Sequence, residues 1–366
     1  HAKEWEAAAN LPRDVFQKMG KLGYLGLRYP KDAGGAGVDY WHTVCFAEEL
    51  VRSRCSGLNL SLMVHTDMAT PVIHRLGTPE QIDEFLKPAI AGEKIAAIGI
   101  TEPDAGSDLK RLRTTARSDG SDYVINGAKM FTTNATEADF ITLALRTGAA
   151  EKDALGSTSL MIFPTDTKGF RVEKKIQMIG NNVSGTSALV FDNCRIPKRM
   201  LLGRENRGFE YMMKDFQGER LIASINAVAR SHQALDDAVR YGRERRAFDQ
   251  PIGRFQTWRH EFADLYTQLE AARRLTYHAC EIFNQGQIPV TEISMAKLFS
   301  CDLAVKIMDR CLQFHGGYGY TEEFDIAREW RDTRMMSIGF GTSEIMKELI
   351  ASRLGLGIDP QGNPPE

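Results

Sequence analysis

Tyr123-Val124-Ile125-Asn126-Gly127-Ala128-Lys129-Met130-Phe131-Thr132-Thr133 is rich in β-branched and aromatic residues, which suit a pleated strand. It is one of a series. Short runs of the same character occupy 96–101, 114–118, 140–146, 159–163, 170–174 and 188–191. Turn residues separate them, at Asp119-Gly120-Ser121, Asn126-Gly127 and 166–169. Evenly spaced short strands predict a compact antiparallel barrel or sandwich.

Outward from this region the period becomes helical. On the N-terminal side, 11–22, 40–52 and 79–91 carry apolar residues at helical spacing. Pro30 and Gly34-Gly35-Ala36-Gly37 mark a loop among them. On the C-terminal side, 209–243, 254–284, 290–314 and 343–354 fit amphipathic helices, mostly long and mostly closely connected, which predicts a bundle. The expected fold is mainly α with a central β-domain: an N-terminal α-helical domain over 1–92, a β-domain over 93–203 and a C-terminal four-helix bundle over 204–366.

A chain of 366 residues is long enough for two or three structural units. The formal net charge of −2 gives no whole-molecule attraction to nucleic acid or to an anionic membrane. No apolar run approaches the roughly 20 residues of a membrane span, so no membrane insertion is expected. The six cysteines form no CxxC pair, and read as reduced thiols rather than disulfides or a zinc site. No metal is expected. The chain opens on His1 and no secretory signal follows, so it is read as having lost leading residues.

Three further stretches carry chemistry. Ile98-Gly99-Ile100-Thr101-Glu102-Pro103-Asp104-Ala105-Gly106-Ser107-Asp108 follows a strand, and its backbone N–H groups and hydroxyls can grip a polar ring or a phosphate. The plain alternative is a turn closing a strand. In 125–134, Asn126-Gly127 predicts a tight hairpin turn, and alternation places Phe131 and Thr133 on one side. Such a pair can cover a flat heterocycle and bond its edge; an ordinary core aromatic is the simpler reading. Gln313-Phe314-His315-Gly316-Gly317-Tyr318-Gly319-Tyr320-Thr321 allows close backbone approach to a ligand. Further on, in Gly341-Thr342-Ser343-Glu344-Ile345, Thr342 or Ser343 can cap a last helix. There is no G-x-G-x-x-G after a strand and no G-x-x-x-x-G-K-[ST]. A nucleotide cofactor is therefore not expected in a Rossmann domain or P-loop.

Taken together and in this order, TEPDAGSD at 101–108, INGAKMFTTN at 125–134, RERRAFDQPI at 243–252, QFHGGYGY at 313–320 and GTSEI at 341–345 resemble the acyl-CoA dehydrogenase family over essentially the whole chain. The resemblance implies FAD held between the β-domain and the bundle, in a homotetramer or a homodimer whose neighbouring subunit completes the site. By that likeness, Ile100, Thr101 and Ser107 meet the flavin or the thioester, with Ser107 also on the substrate side. Phe131 lies beside the flavin ring, where many relatives have Trp, and Thr133 supplies a hydroxyl. Arg245 and Phe248 reach the neighbour's FAD, and Gln313 and Gly317 meet its pyrophosphate and adenine side. Thr342 and Glu344 contact the cofactor, while Arg220 meets the CoA portion.

One position departs from the family. Many relatives place a catalytic glutamate just before the Gly-Thr of the C-terminal motif, and this chain has Phe340 there, in the substrate region. Phenylalanine cannot accept a proton. A branch resembling the isovaleryl-CoA, long-chain and citronellyl-CoA enzymes carries its glutamate on a bundle helix, matched here by Gln217-Gly218-Glu219-Arg220-Leu221. On a helix, Glu219 has Phe216, Ile222 and Ala223 as neighbours, with Asp215 the exception. Desolvation on such a face raises a carboxylate's basicity. A surface pairing with an arginine is the competing reading.

The resemblance thus implies α,β-desaturation of an acyl-CoA, medium-to-long or methyl-branched. Glu219 would be the α-proton base, the hydride would pass to FAD, and electron-transfer flavoprotein would be the acceptor. A backbone N–H at the Phe340 position would serve the thioester oxygen, since a backbone donor survives a side-chain change. A bacterial cytoplasmic location is expected, with the mitochondrial matrix as the alternative. An acyl-CoA oxidase, a flavin monooxygenase and a non-catalytic binder of flavin or acyl-CoA are the rival readings.

Overall fold

A computed structural model describes residues 1–148 and 155–357. Residues 358–366 of the expected bundle therefore lie outside the described residues. Two compact units are present: 1–43 with 57–218, and 44–56 with 219–366.

The first unit opens with α1 (Ala2–Ala8), α2 (Asp14–Lys21) and the start of α3 (Tyr40–Val51). In α2, Val15 and Phe16 are buried. Its acidic Asp14 leads and its basic Lys18 and Lys21 trail, which complements the helix dipole. α4 (Ser56–Met63) runs into a π-helical turn, Val64–Ala69, and then α5 (Pro71–Leu76). α4 was not legible in the sequence. All its residues are buried, so it has no polar face and no amphipathic period. The expected helix at 79–91 is three pieces: α6 (Pro79–Gln81), a π-helical turn Ile82–Leu86 and α7 (Lys87–Ile90). Thr78 and Gln81 close a reciprocal capping box at its start, with Pro79 in the first turn.

The strands are β1 (Ala96–Gly99), β2 (Thr115–Asp119), β3 (Asp122–Thr132), β4 (Phe140–Arg146), β5 (Thr158–Pro164), β6 (Phe170–Lys175), β7 (Ser187–Pro197) and β8 (Leu201–Leu202). They form one eight-stranded sheet, β6-β7-β3-β2-β4-β5-β8, with β1 beside β4. The antiparallel expectation needs one correction, because β1 and β2 both pair with β4 in parallel. The long connection from β1 to β4 makes that possible. β4 and β5 are buried along almost their whole length and hold the core with Phe140, Leu143, Met161 and Phe163. Strands covered on both faces read as continuous apolar runs rather than alternating ones.

Asn126-Gly127 is a second correction. The pair sits inside β3, where the register with β7 shifts between Ile125 and Gly127. The hairpin turn from β2 to β3 falls earlier, at Gly120-Ser121. Asn126 Oδ1 accepts the Asn193 N–H at 2.8 Å. A side chain at Gly127 (φ 150°) would meet Thr114 Oγ1 at 2.5 Å. The dipeptide therefore makes a bulge.

α8 (Gly208–Glu244) begins in the first unit and continues into the second. β9 (Arg246–Ala247) and β10 (Gln250–Pro251) form a tight hairpin after it. α9 (Gln256–Asn284), α10 (Val290–His315), the unanticipated α11 (Asp325–Thr333) and α12 (Ser343–Arg353) complete the helical domain. Its core includes Leu235, Leu265, Leu269, Ile307 and Phe314, with Trp258 and Phe262 packed edge-on to Phe314. Among the described residues, no helix is long and apolar enough to cross a membrane.

Candidate active site

In the first unit, the two expected flavin-facing stretches are tied together. Met130 N–H donates to Thr101 O at 2.8 Å. Lys129, wholly buried, donates to Ile100 O at 2.9 Å and to Glu102 Oε1 at 2.7 Å. Glu102 also accepts the backbone N–H groups of Arg113 (2.6 Å) and Thr114 (3.0 Å). Burial lowers the Lys129 ammonium to about 8, against the pull of Glu102. Glu102 lies below its usual range, because Lys129 and these donors outweigh its desolvation. This knot fixes Ile100 and Thr101, both half-buried, against the strand that carries Phe131. Sequence reasoning quoted Lys129 and Glu102 without giving them a role.

Phe131 and Thr133 do not share one side as simple alternation predicts. A register shift between Lys129 and Thr132 breaks the pleat, and Phe131 has φ 56°. Phe131 is consequently 58% exposed, whereas Thr133 is buried and bonded to Thr186 at 3.0 Å. Ser107 is exposed, just past the Glu102–Ala105 bridge.

In the second unit, Glu219 and Arg220 are buried on α8. Their helical neighbours Ile222 and Ala223 are buried too. Arg220 reaches the turn that holds Phe340: a side chain on Gly341 would lie 3.6 Å from Arg220 Nε. Desolvation pulls the Arg220 guanidinium below its usual range, and Glu219 opposes that. Phe340 (φ 59°) and Gly341 (φ 86°) are both left-handed, so the turn is strained at Phe340. Thr342 caps α12 by accepting the Ile345 N–H at 3.2 Å, as anticipated. Glu344 is held below its usual range by its own helix-end N–H and by Thr342. Through Arg220, the Glu219-Arg220 stretch of α8 and the Phe340 turn are thus brought together.

A second group forms elsewhere in this unit. Arg245 and Gly317 line one depression of about 470 Å³ with Tyr241, His315 and Tyr318. The Arg245 guanidinium stands 5.5 Å from the Tyr318 ring centre. A Cβ at Gly316 or Gly317 would meet nothing within 4 Å. Phe248 is 88% exposed at the tip of the β9–β10 hairpin. Phe248 (φ 50°) and Asp249 (φ 61°) give that turn its left-handed pair. Gln313 is exposed but does not line the depression.

In the first unit, an exposed aromatic on a pinned backbone fits a flat heterocycle; in the second, an open di-glycine and an arginine over an aromatic fit a charged pyrophosphate. The residues present therefore fit FAD. Among the described residues, no cluster of three or more His, Cys, Asp or Glu could hold a metal ion.

Three family models match the chain: Acyl-CoA dehydrogenase, N-terminal domain over 1–93, middle domain over 97–194 and C-terminal domain over 206–355. Among curated relatives, the chain is 36% identical to the long-chain specific acyl-CoA dehydrogenase, mitochondrial, of Sus scrofa, across 97% of this chain and 82% of that protein. It is 37% identical to the 3-(aryl)acrylate reductase of Clostridium sporogenes, across 96% and 93%. Among solved structures, an acyl-CoA dehydrogenase from Geobacillus kaustophilus superposes with a TM-score of 0.94 at 36% identity, across 97% and 93% of the two chains.

Proposed function

Because this chain belongs to the acyl-CoA dehydrogenase family and is an FAD-dependent oxidoreductase acting on acyl-CoA, we propose that Glu219 is its α-proton base. The observation that supports this reading is that Glu219 is buried on α8 next to Arg220, whose guanidinium reaches the turn where Phe340 stands in place of a proton acceptor. Asp215, one turn earlier on α8, is engaged by Arg75 at 2.8 Å and is the weaker candidate. We propose Ile100, Thr101, Ser107, Phe131, Thr133, Arg245, Phe248, Gln313, Gly317, Thr342 and Glu344 as the cofactor contacts, and Ser107, Arg220 and Phe340 as substrate contacts.

In this reading Glu219 takes the α-proton onto its carboxylate, and the C–H electron pair delocalises into the thioester carbonyl. Arg220 holds the CoA portion, so the acyl chain is presented in one orientation. The backbone N–H of Phe340 donates to the thioester oxygen as negative charge develops there. The bound flavin supplies the hydride acceptor for the β-hydrogen. The proposed substrates are medium-to-long or methyl-branched acyl-CoA, with electron-transfer flavoprotein as acceptor. The proposed domains are 1–92, 93–203 and 204–366, in a tetrameric protein of the bacterial cytoplasm.

The test is anaerobic mixing of the yellow protein with a panel of acyl-CoA thioesters, following loss of flavin absorbance. Bleaching by the parent and not by Glu219→Gln is the expected result, and the fastest thioester names the chain class. Equal bleaching in both moves the base elsewhere. Bleaching followed by rapid reaction with oxygen favours an oxidase.

A further inference from the structure

Lys297 is 0% exposed in the middle of α10, among Ile293, Ala296, Ser300 and Cys301. An ammonium withdrawn from water is strongly unfavourable unless it answers a polar group. No carboxylate forms an ion pair with it among the described residues. Its one hydrogen-bond acceptor among them is the carbonyl of Gly341, 2.5 Å from Nζ. Burial lowers Lys297, and the charged Arg220 adds to that, while Cys301, Asp302 and Glu344 oppose it.

The contact falls on the strained turn. Phe340 and Gly341 are consecutive left-handed residues, and a bulky residue remains there only where the surroundings over-determine it. Three groups do so. Lys297 takes the Gly341 carbonyl, Arg220 lies along the glycine, and Met346 closes the other side, where a Cβ would meet its Cε at 2.8 Å. A second tie to α10 follows, as Ser343 donates to Asp302 Oδ1 at 2.6 Å. The Phe340 turn is thus pinned to α10 at two points, one of them a buried cation.

We propose that Lys297 is a positioning residue which, through the Gly341 carbonyl, holds the Phe340–Gly341 turn so that the Phe340 N–H faces the thioester oxygen. This rests on the proposed function. Lys297 itself does not touch substrate. It fixes the residue after Phe340, and with it the turn that carries a donor which must already point correctly when charge develops, since preorganised donors stabilise that charge without reorganising.

A 3-thiaacyl-CoA tests this without turnover. It cannot lose a β-hydride, but its acidified α-proton can go to the base, and the bound anion gives a long-wavelength charge-transfer band with oxidised flavin. The pH midpoint of that band reads anion stabilisation in the site. The parent is compared with Lys297→Met, Lys297→Arg and Lys297→Gln, with FAD content and melting temperature recorded for each. The expected result is a midpoint about one pH unit or more higher in Lys297→Met, a tenfold or larger loss of anion stabilisation. A fall in kcat with little change in KM accompanies it, and Lys297→Arg recovers part of both. If Lys297→Met does not fold, Lys297→Gln carries the comparison. An unchanged midpoint in a folded variant overturns the role of Lys297 alone. Absence of the band in the parent, or its survival in Glu219→Gln, overturns the underlying base assignment.

Discussion

Glu219→Gln is expected to lower kcat by about 10²–10⁴-fold, the usual weight of a positioned general base, while FAD binding is retained. Single-turnover bleaching reads the loss, and a change under threefold contradicts the assignment. Lys129→Met is expected to act on stability instead. It leaves the Glu102 carboxylate buried without its cation, a change that typically costs about 3–5 kcal/mol. Adding Glu102→Gln removes the stranded charge and should recover at least half of that loss. Urea midpoints of the two variants make the comparison, and equal destabilisation would show that the pair is not coupled. Neither Lys129 nor Lys297 could be assigned from sequence. A lone lysine in an apolar run looks the same whether it bends out to water or caps a carbonyl inside, and only the packed backbone says which.

The π-helical turn Val64–Ala69 is held by His65, fully buried between two elements. Its Nδ1 accepts the Ala96 N–H at 3.0 Å, so Nε2 carries the proton and donates to Ala89 O at 3.0 Å. Burial lowers its pKa from 6.5 to about 4. The unfolded chain therefore takes up a proton below pH 6.5 that the folded chain refuses until about pH 4. Stability should fall across that window by up to about 3 kcal/mol. The pH dependence of urea unfolding, compared with His65→Gln, isolates this contribution; identical slopes would rule it out. At the scale of elements the long helices and most strands were legible, because their periods extend over many residues. α4 was not, since burial on all sides erases its period. The Asn126-Gly127 turn was misread because that dipeptide serves a bulge as well as a hairpin, and the neighbouring Thr114 decides between them.

For the whole molecule, the proposed assembly is four copies of a 40.9 kDa chain, which sedimentation equilibrium distinguishes from a dimer. Arg245→Ala should weaken FAD binding at least tenfold by fluorescence titration without disturbing the bundle, since Arg245 is exposed and lines the di-glycine depression. Unaltered affinity would separate that depression from the cofactor. The three phenylalanines at the proposed ligand-reading positions, Phe131, Phe248 and Phe340, all have left-handed backbones. Glycine and asparagine are the residues that accept such backbones with least strain. Random drift at these three codons would therefore be rewarded by a more stable apoprotein that reads its ligands worse. Retention of an aromatic at all three over a population of diverging descendants would be a trace of selection for function acting against selection for stability.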